Sequence, residues 1–372
     1  MADGTPTPTP RGRPGGLRRH LPAPRSVLVW ARTLLIAFIG GFLANATGLP
    51  AGWLSGSMIA VTIAAFLKVE VAVPVRLVDV VFVMIGVLLG TGVTPEIVDR
   101  IGSWPVSLAG LVVSVILVTV TVQAFLVRVA KWDPLTAFFA AIPGALSYAI
   151  ALANMNGADV RRVATGQTIR LFLLVALIPA IVSAIEPIPV PSVHEVTRPE
   201  HLVPLILLSA LGSLVFFRLR MPAALLTGAL VVSSVAHGTG WVSGGFPDWL
   251  TVATYVTLGA MIGCRFVGTS LAFLRSIIVA SLGAFVVAVT VAGVCAAVVA
   301  TLVDVPVAQI LVAFAPGGLD AMTALALALH LDSVFVAAHQ LARYIFIAIV
   351  APFATRGMVR RLPSQITKEK KD

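Results

Sequence analysis

The sequence predicts an all-α polytopic membrane protein made of two inverted repeats, each of about five transmembrane helices plus one broken, re-entrant hairpin. Three observations lead there. Hydrophobic residues are 58% of the chain and charged residues 11%, whereas a soluble domain carries about 25% charged residues. The apolar runs are continuous and about 20 residues long, enough to span a hydrocarbon core of about 30 Å, and they lack the alternation of barrel strands. The chain also repeats itself. An offset of 173 carries Pro143 onto Pro316, Gly144 onto Gly317, Leu146 onto Leu319, Asp159 onto Asp332, Gln167 onto Gln340, Arg170 onto Arg343 and Pro179 onto Pro352. Helix breakers and ionisable groups are costly in a bilayer, so a matched set of them points to a duplicated functional unit.

Residues 1–25 form a basic, Pro-rich tail that is too short to fold alone. The first membrane repeat follows at 26–187, with crossings at 26–46, 50–68, 77–94, 104–127 and 163–185. A linker at 188–201 leads to the second repeat at 202–355, with crossings at 202–217, 221–237, 250–268, 276–302 and 333–354. A second basic tail occupies 356–372. Two further apolar stretches, 134–155 and 307–330, carry the Pro-Gly breaks at their centres. Their arms are about ten residues each, half a bilayer at about 1.5 Å per residue. The repeat extends to Gly-Leu-Pro-Ala-Gly-Trp-Leu-Ser-Gly at 48–56, answered by Arg-Met-Pro-Ala-Ala-Leu-Leu-Thr-Gly at 220–228, and to Gly86 and Gly90, answered by Gly259 and Gly263. Such small residues are expected where membrane helices cross closely.

Orientation follows from Lys and Arg placement. If all twelve apolar segments crossed, Arg161, Arg162, Arg218, Arg220, Arg265 and Arg275 would face outward. If 134–155 and 307–330 enter and leave on one side, only Arg100 and Arg198 lie outside. The positive-inside rule selects the second arrangement. Five crossings per half is an odd number, so the halves are inverted, an architecture shared by many secondary transporters. Both termini are then cytoplasmic in a bacterial inner membrane, and the basic tails meet anionic lipid. Arg18-Arg19 precedes a full-length span with no small-residue cleavage site, which reads as an anchor and not a removed export signal. The net charge of +10 comes with no helix-turn-helix or zinc-finger pattern, so no direct nucleic-acid partner is expected. Cys264 and Cys295 have no zinc or redox spacing and are expected to pack.

The residues that can carry chemistry cluster on the repeated motif. Arg170 and Arg343 fall near mid-bilayer, each three residues after a Gln, so Gln167–Arg170 and Gln340–Arg343 share helix faces. These Arg either tie down the broken hairpins through freed carbonyls or contact an anionic solute, and the two roles are compatible. Asp320 lies at the second hairpin tip, opposite Ser147 in the first half. It can pair with Arg343, bind a cation, carry a proton, or simply N-cap the arm that follows. Ser147, Tyr148 and Thr323 lie at the same depth and either line the site or bond back to their own helices. His339 is either a proton relay or a packed side chain. Asp159 and Asp332 precede long helices and read as N-caps. The substrate-binding candidates are therefore Pro143, Gly144, Ser147, Tyr148, Gln167, Arg170, Pro316, Gly317, Gly318, Thr323, Gln340 and Arg343, with Asp320 and His339 as candidates for ion or proton coupling.

On these motifs the chain resembles the AbrB family of bacterial integral membrane proteins. The resemblance rests on residues 48–56, on Ile-Pro-Gly-Ala at 142–145, on Ala-Pro-Gly-Gly-Leu-Asp-Ala-Met at 315–322 and on His-Gln-Leu-Ala-Arg at 339–343, and it covers about 30–355. It implies a duplicated inner-membrane domain. Family members carry labels such as regulator of gene expression and putative ammonia monooxygenase. The name is shared with a soluble DNA-binding regulator that this sequence does not resemble. A copper monooxygenase needs clustered His, and His20, His194, His201, His237, His330 and His339 form no cluster in the sequence. Direct DNA regulation needs a folded cytosolic domain, for which the sequence leaves no segment.

The reading is thus a secondary transporter of a small anionic organic solute, with no enzymatic activity, cofactor or metal expected. Two intramembrane Arg against one Asp, and the N-termini of the second hairpin arms, favour an anion. No Gly-x-x-x-x-Gly-Lys motif occurs, so an ion or proton gradient would drive it. The alternative is a membrane-embedded sensor that binds a small ligand without moving it. Homo-oligomerisation is compatible with either.

Overall fold

The computed structural model describes residues 24–92, 102, 104–144, 146–186, 196–221 and 223–369; side chains are described for 26–358 of these. Among them are fourteen α-helices and a single isolated bridge, Val196 with Gly245. They are α1 (Pro24–Ala46), α2 (Gly52–Phe66), α3 (Val75–Gly90), α4 (Trp104–Arg128), α5 (Pro134–Ala141), α6 (Leu146–Met155) and α7 (Val160–Ile185). The remainder are α8 (Pro199–Arg218), α9 (Ala224–Gly238), α10 (Asp248–Cys264), α11 (Leu271–Ala300), α12 (Val307–Phe314), α13 (Leu319–Ala328) and α14 (Ser333–Glu369). The N-terminal tail, Arg100, most of the linker, Pro222 and the last residues of the C-terminal tail lie outside the described residues.

Six helices, α1, α4, α7, α8, α11 and α14, are long and apolar enough to cross a membrane. Their outer faces are as apolar as their inner ones: Leu28, Phe42, Leu207, Val279, Val294 and Phe353 are all exposed. Water would penalise such a coat and lipid would not. The expected crossings at 50–68, 77–94, 221–237 and 250–268 are shorter in the structure, 15 to 17 residues or about 22–26 Å. Their ends are cut by left-handed residues. Ala51 and Ala223 open α2 and α9 at φ 53 and 48, and Lys68 turns the chain after α2 at φ 60.

The two expected hairpins are present as broken helix pairs. α5 and α6 are 8 and 10 residues, and so are α12 and α13. Asp133 caps α5 by accepting from Leu135 N and Thr136 N, and Pro134 starts the helix, where its missing N–H costs nothing. Pro143-Gly144 and Pro316-Gly317-Gly318 supply the breaks between arms. Positive-φ residues also recur between halves: Gly48 and Arg220, Ala51 and Ala223, Lys68 and Gly240, Gly157 and His330.

Packing divides the molecule into two bundles. α1–α3 pack with α8–α10, and α4–α7 pack with α11–α14. Pairings come in matched sets: α2 with α10 and α9 with α3; α4 with α5 and α11 with α12; α6 with α7 and α13 with α14. Glycines set the closest crossings. A Cβ on Gly259 would lie 2.6 Å from Leu54 O, and one on Gly263 2.8 Å from Met58 O. Gly86 and Gly90 meet α9 in the same way, at Leu226 and Ser233. The bundles touch through α3 with α13 and α14, and through α7 with α2 and α10.

Candidate functional site

The last carbonyls of a helix have no partner within it. At the end of α5 they are taken by α7: Gln167 Nε2 donates to Phe139 O at 2.7 Å, Arg170 Nη1 to Ala140 O and Ala141 O at 3.3 Å, and Nη2 to Ile142 O at 2.9 Å. At the end of α12 they are taken by α14. Gln340 Nε2 donates to Val312 O and Ala313 O at 3.2 and 3.1 Å. Arg343 Nη1 and Nη2 donate to Ala315 O and Gly317 O, both at 2.5 Å, and Nη2 also reaches Gln340 Oε1. All four side chains are buried. A guanidinium is well placed there, because helix C-termini carry negative partial charge. Both Arg therefore tie down the broken hairpins.

The hairpin tips touch each other. Gly144 has φ +88, and a Cβ there would lie 2.6 Å from Gly317 O and 2.8 Å from Arg343 Nη2. Only glycine meets both the left-handed backbone and the close approach.

Beside the tips lies an open recess of about 250 Å³, its mouth included. Gly144, Pro316, Gly317 and Gly318 form one side, and Gln167 and Arg170 another. These six residues come from the sequence-based set. Arg265, immediately after α10, also lines the recess, as do Leu146 and Leu171, and none of these three was in that set. Arg265 Nη2 lies 3.6 Å from Asp320 Oδ2, with both side chains partly exposed. Asp320 is thus paired with Arg265 and not with Arg343, the partner the sequence offered. Nor is it the N-cap: Gly318 caps α13, and Asp320 sits in the first turn, where a carboxylate favours the helix dipole. The ion pair belongs to one half only, since the offset of 173 puts Gly92 and Ser147 at the equivalent positions. That offset was the signal that could have found Arg265; read alone, it looks like a loop charge.

The remaining candidates are not among the lining residues. Pro143 is buried and Ser147 is exposed on α6. Tyr148 Oη donates to Ala348 O at 3.0 Å, joining α6 to α14. Thr323 is fully buried, and its hydroxyl donates back to Leu319 O at 2.6 Å. His339 is fully buried, with Nδ1 2.8 Å from Phe335 O and Nε2 2.9 Å from Ser107 Oγ, against the rings of Phe335, Phe314 and Trp104. Asp159 caps α7 by accepting from Arg162 N, and Asp332 accepts from Val334 N and Phe335 N at the start of α14.

The family model described as "Transition state regulatory protein AbrB" matches residues 53–358. "Uncharacterized protein YhjN" of Bacillus subtilis (strain 168) is 26% identical over 367 residues, covering 91% of this chain and 94% of that relative. "Putative regulator AbrB" of Escherichia coli (strain K12) is 26% identical over 348 residues, covering 91% of this chain and 99% of that relative. No solved structure matches.

Proposed function

The chain belongs to the AbrB family, whose model spans both broken hairpins and the helices that hold them, and from that premise we propose that it is a secondary transporter of a small organic anion. The observation that carries the reading is the recess where the two hairpin tips meet, lined by Arg170 and Arg265. Arg170 and Arg265 line the recess and α13 begins beside it, against a single carboxylate, Asp320, which pairs with Arg265, so the local field favours a negative solute. The recess also joins the two bundles: Arg265 belongs to one, and the hairpins belong to the other. A solute carboxylate would compete with Asp320 for Arg265. Opening that pair couples solute to the relative position of the bundles, and a proton or cation on Asp320 would release Arg265 for the solute.

The matched helix lengths, matched turns and paired packing support two repeats, at 26–187 and 202–355; Lys and Arg placement in the sequence supports their inversion, in a bacterial inner membrane with both termini cytoplasmic. In this reading the partners are the solute and, at the basic tails, anionic lipid; a homo-oligomer is compatible, and no nucleic acid or enzymatic step is involved. The name of the Escherichia coli relative, "Putative regulator AbrB", favours a second reading, in which the recess binds its ligand as a sensor.

Flux separates the two. Protein purified into liposomes should take up labelled small organic anions down an imposed gradient, and Arg265→Ala and Asp320→Asn should each reduce uptake at least tenfold. Saturable binding with no flux under any imposed gradient would sink the transporter and favour the sensor.

A further inference from the structure

Two prolines at matched positions let the halves of the chain be compared atom by atom. Pro179 of α7 and Pro352 of α14 are counterparts at the offset of 173. A proline has no N–H, so each leaves the carbonyl four residues earlier without its helical donor. Those carbonyls are Val175 O and Ala348 O, themselves counterparts. Their partners differ. Ser55 Oγ of α2 donates to Val175 O at 3.0 Å, a buried bond between the two bundles. Tyr148 Oη of α6 donates to Ala348 O at 3.0 Å, a bond inside one bundle. Thr227 of α9 is the counterpart of Ser55 at an offset of 172, and its hydroxyl donates to Ala223 O, one turn back, at 3.2 Å.

The packing is unequal in the same sense. α2 packs against α7, and α9 makes no comparable contact with α14. α13 packs against α3 of the other bundle, and α6 makes no comparable contact with α10. The two arms differ residue by residue. Ala324 of α13 is fully buried, while its counterpart Ala151 of α6 is exposed. Ser147 and Asn154 are exposed too, one turn to either side of Ala151 on the same helix face. Small and polar side chains suit close helix contact better than lipid.

We infer that the chain has a second conformer, in which the two halves exchange these arrangements. There α6 docks its Ser147–Ala151–Asn154 face on α10, and α13 leaves α3. Thr227 takes Ala348 O from Tyr148, and Ser55 releases Val175 O. In the inverted topology the two arms lie on opposite sides of the hairpin tips, so the exchange moves access to the recess from one side of the membrane to the other. The inference deepens the transporter reading and rests on it for its purpose. Its physical basis is the unequal partnering of two equivalent carbonyls.

The test is thiol labelling of the purified full chain in detergent, with Cys264→Ser and Cys295→Ser as background and Ala151→Cys or Ala324→Cys as the single probe. Position 151 should react with a water-soluble maleimide much faster than position 324. Tyr148→Phe and Ser55→Ala each remove a hydrogen bond of the conformer described here. Each should speed labelling at 324 by about threefold to tenfold, the worth of one hydrogen bond, with no rise at 151. Thr227→Val removes a bond of the second conformer and should reverse that gain. Thr323→Cys, buried on the same arm and close to the native side chain in size, serves as the probe should Ala324→Cys not fold. The inference is overturned if neither Tyr148→Phe nor Ser55→Ala changes labelling at 324, if both positions speed up together, or if Thr227→Val leaves the gain intact. Exchange in a protein without liposome flux upholds the two conformers and sinks the transporter. Flux without exchange sinks the conformers and leaves the transporter standing.

Discussion

An arginine at the centre of a membrane helix costs about 2.5–3.5 kcal/mol on insertion scales, and Arg170 and Arg343 offset that cost with the carbonyls of a neighbouring helix end. The geometry needs a fork. Lysine would carry the same charge but present a point donor. Arg343→Lys should therefore lose one of the two carbonyl bonds, at about 1.5–3 kcal/mol, and lower the midpoint of thermal unfolding in detergent. Glycine substitutions separate conformational cost from steric cost in the same assay. Gly157, at φ +73 with open space around it, should lose about 1 kcal/mol as alanine. Gly144→Ala should lose at least twice as much, because its Cβ also meets Gly317 O and Arg343. The Pro-Gly breaks and the Gln-Arg pairs were legible in the sequence because a bilayer makes such residues rare. Arg265 was not, because a charge at a helix end needs no explanation.

At the scale of elements, the glycine-lined crossings do for the short helices what the guanidinium groups do for the hairpins. α2, α3, α9 and α10 have few apolar turns each, and their backbones come close enough for Gly86, Gly90, Gly259 and Gly263 to touch the facing helix. Lipid gives little drive to pair apolar helices, so such close contact supplies it. Replacing Gly259 by leucine should force α10 away from α2. The protein should then lose its monodisperse peak in size-exclusion chromatography, while leucine at the open position Gly293 should be tolerated. Helix identity along the chain was readable from apolar run length. Helix ends were not, because Ala51, Ala223 and Lys68 adopt left-handed turns that their residue types do not announce.

For the whole molecule, the division into bundles cuts across the two halves of the chain, since each bundle takes its helices from both. Topology can be tested directly. In a background with Cys264 and Cys295 replaced, a cysteine at Asn156 should react only with reagent reaching the cytoplasmic side, and one at Asp304 only with reagent added outside. Labelling of position 156 from outside and of position 304 from the cytoplasmic side would restore twelve crossings and remove the inversion. The Arg265–Asp320 pair spans the seam between the bundles, and the first half of the chain has nothing equivalent there, so the seam is polarised although the scaffold is nearly symmetric.

The lengths of α4 and α11 bear on the lipid as well. The two helices pack together and run for 25 and 30 residues, about 37 and 45 Å, whereas α2, α3, α9 and α10 reach only about 22–26 Å. A hydrocarbon layer of about 30 Å is too thin for the first set unless they lean, and too thick for the second unless it thins. The long pair of one bundle therefore prefers a thicker bilayer than the short helices of the other. Membrane thickness itself becomes a variable that weighs on how the two bundles sit against each other.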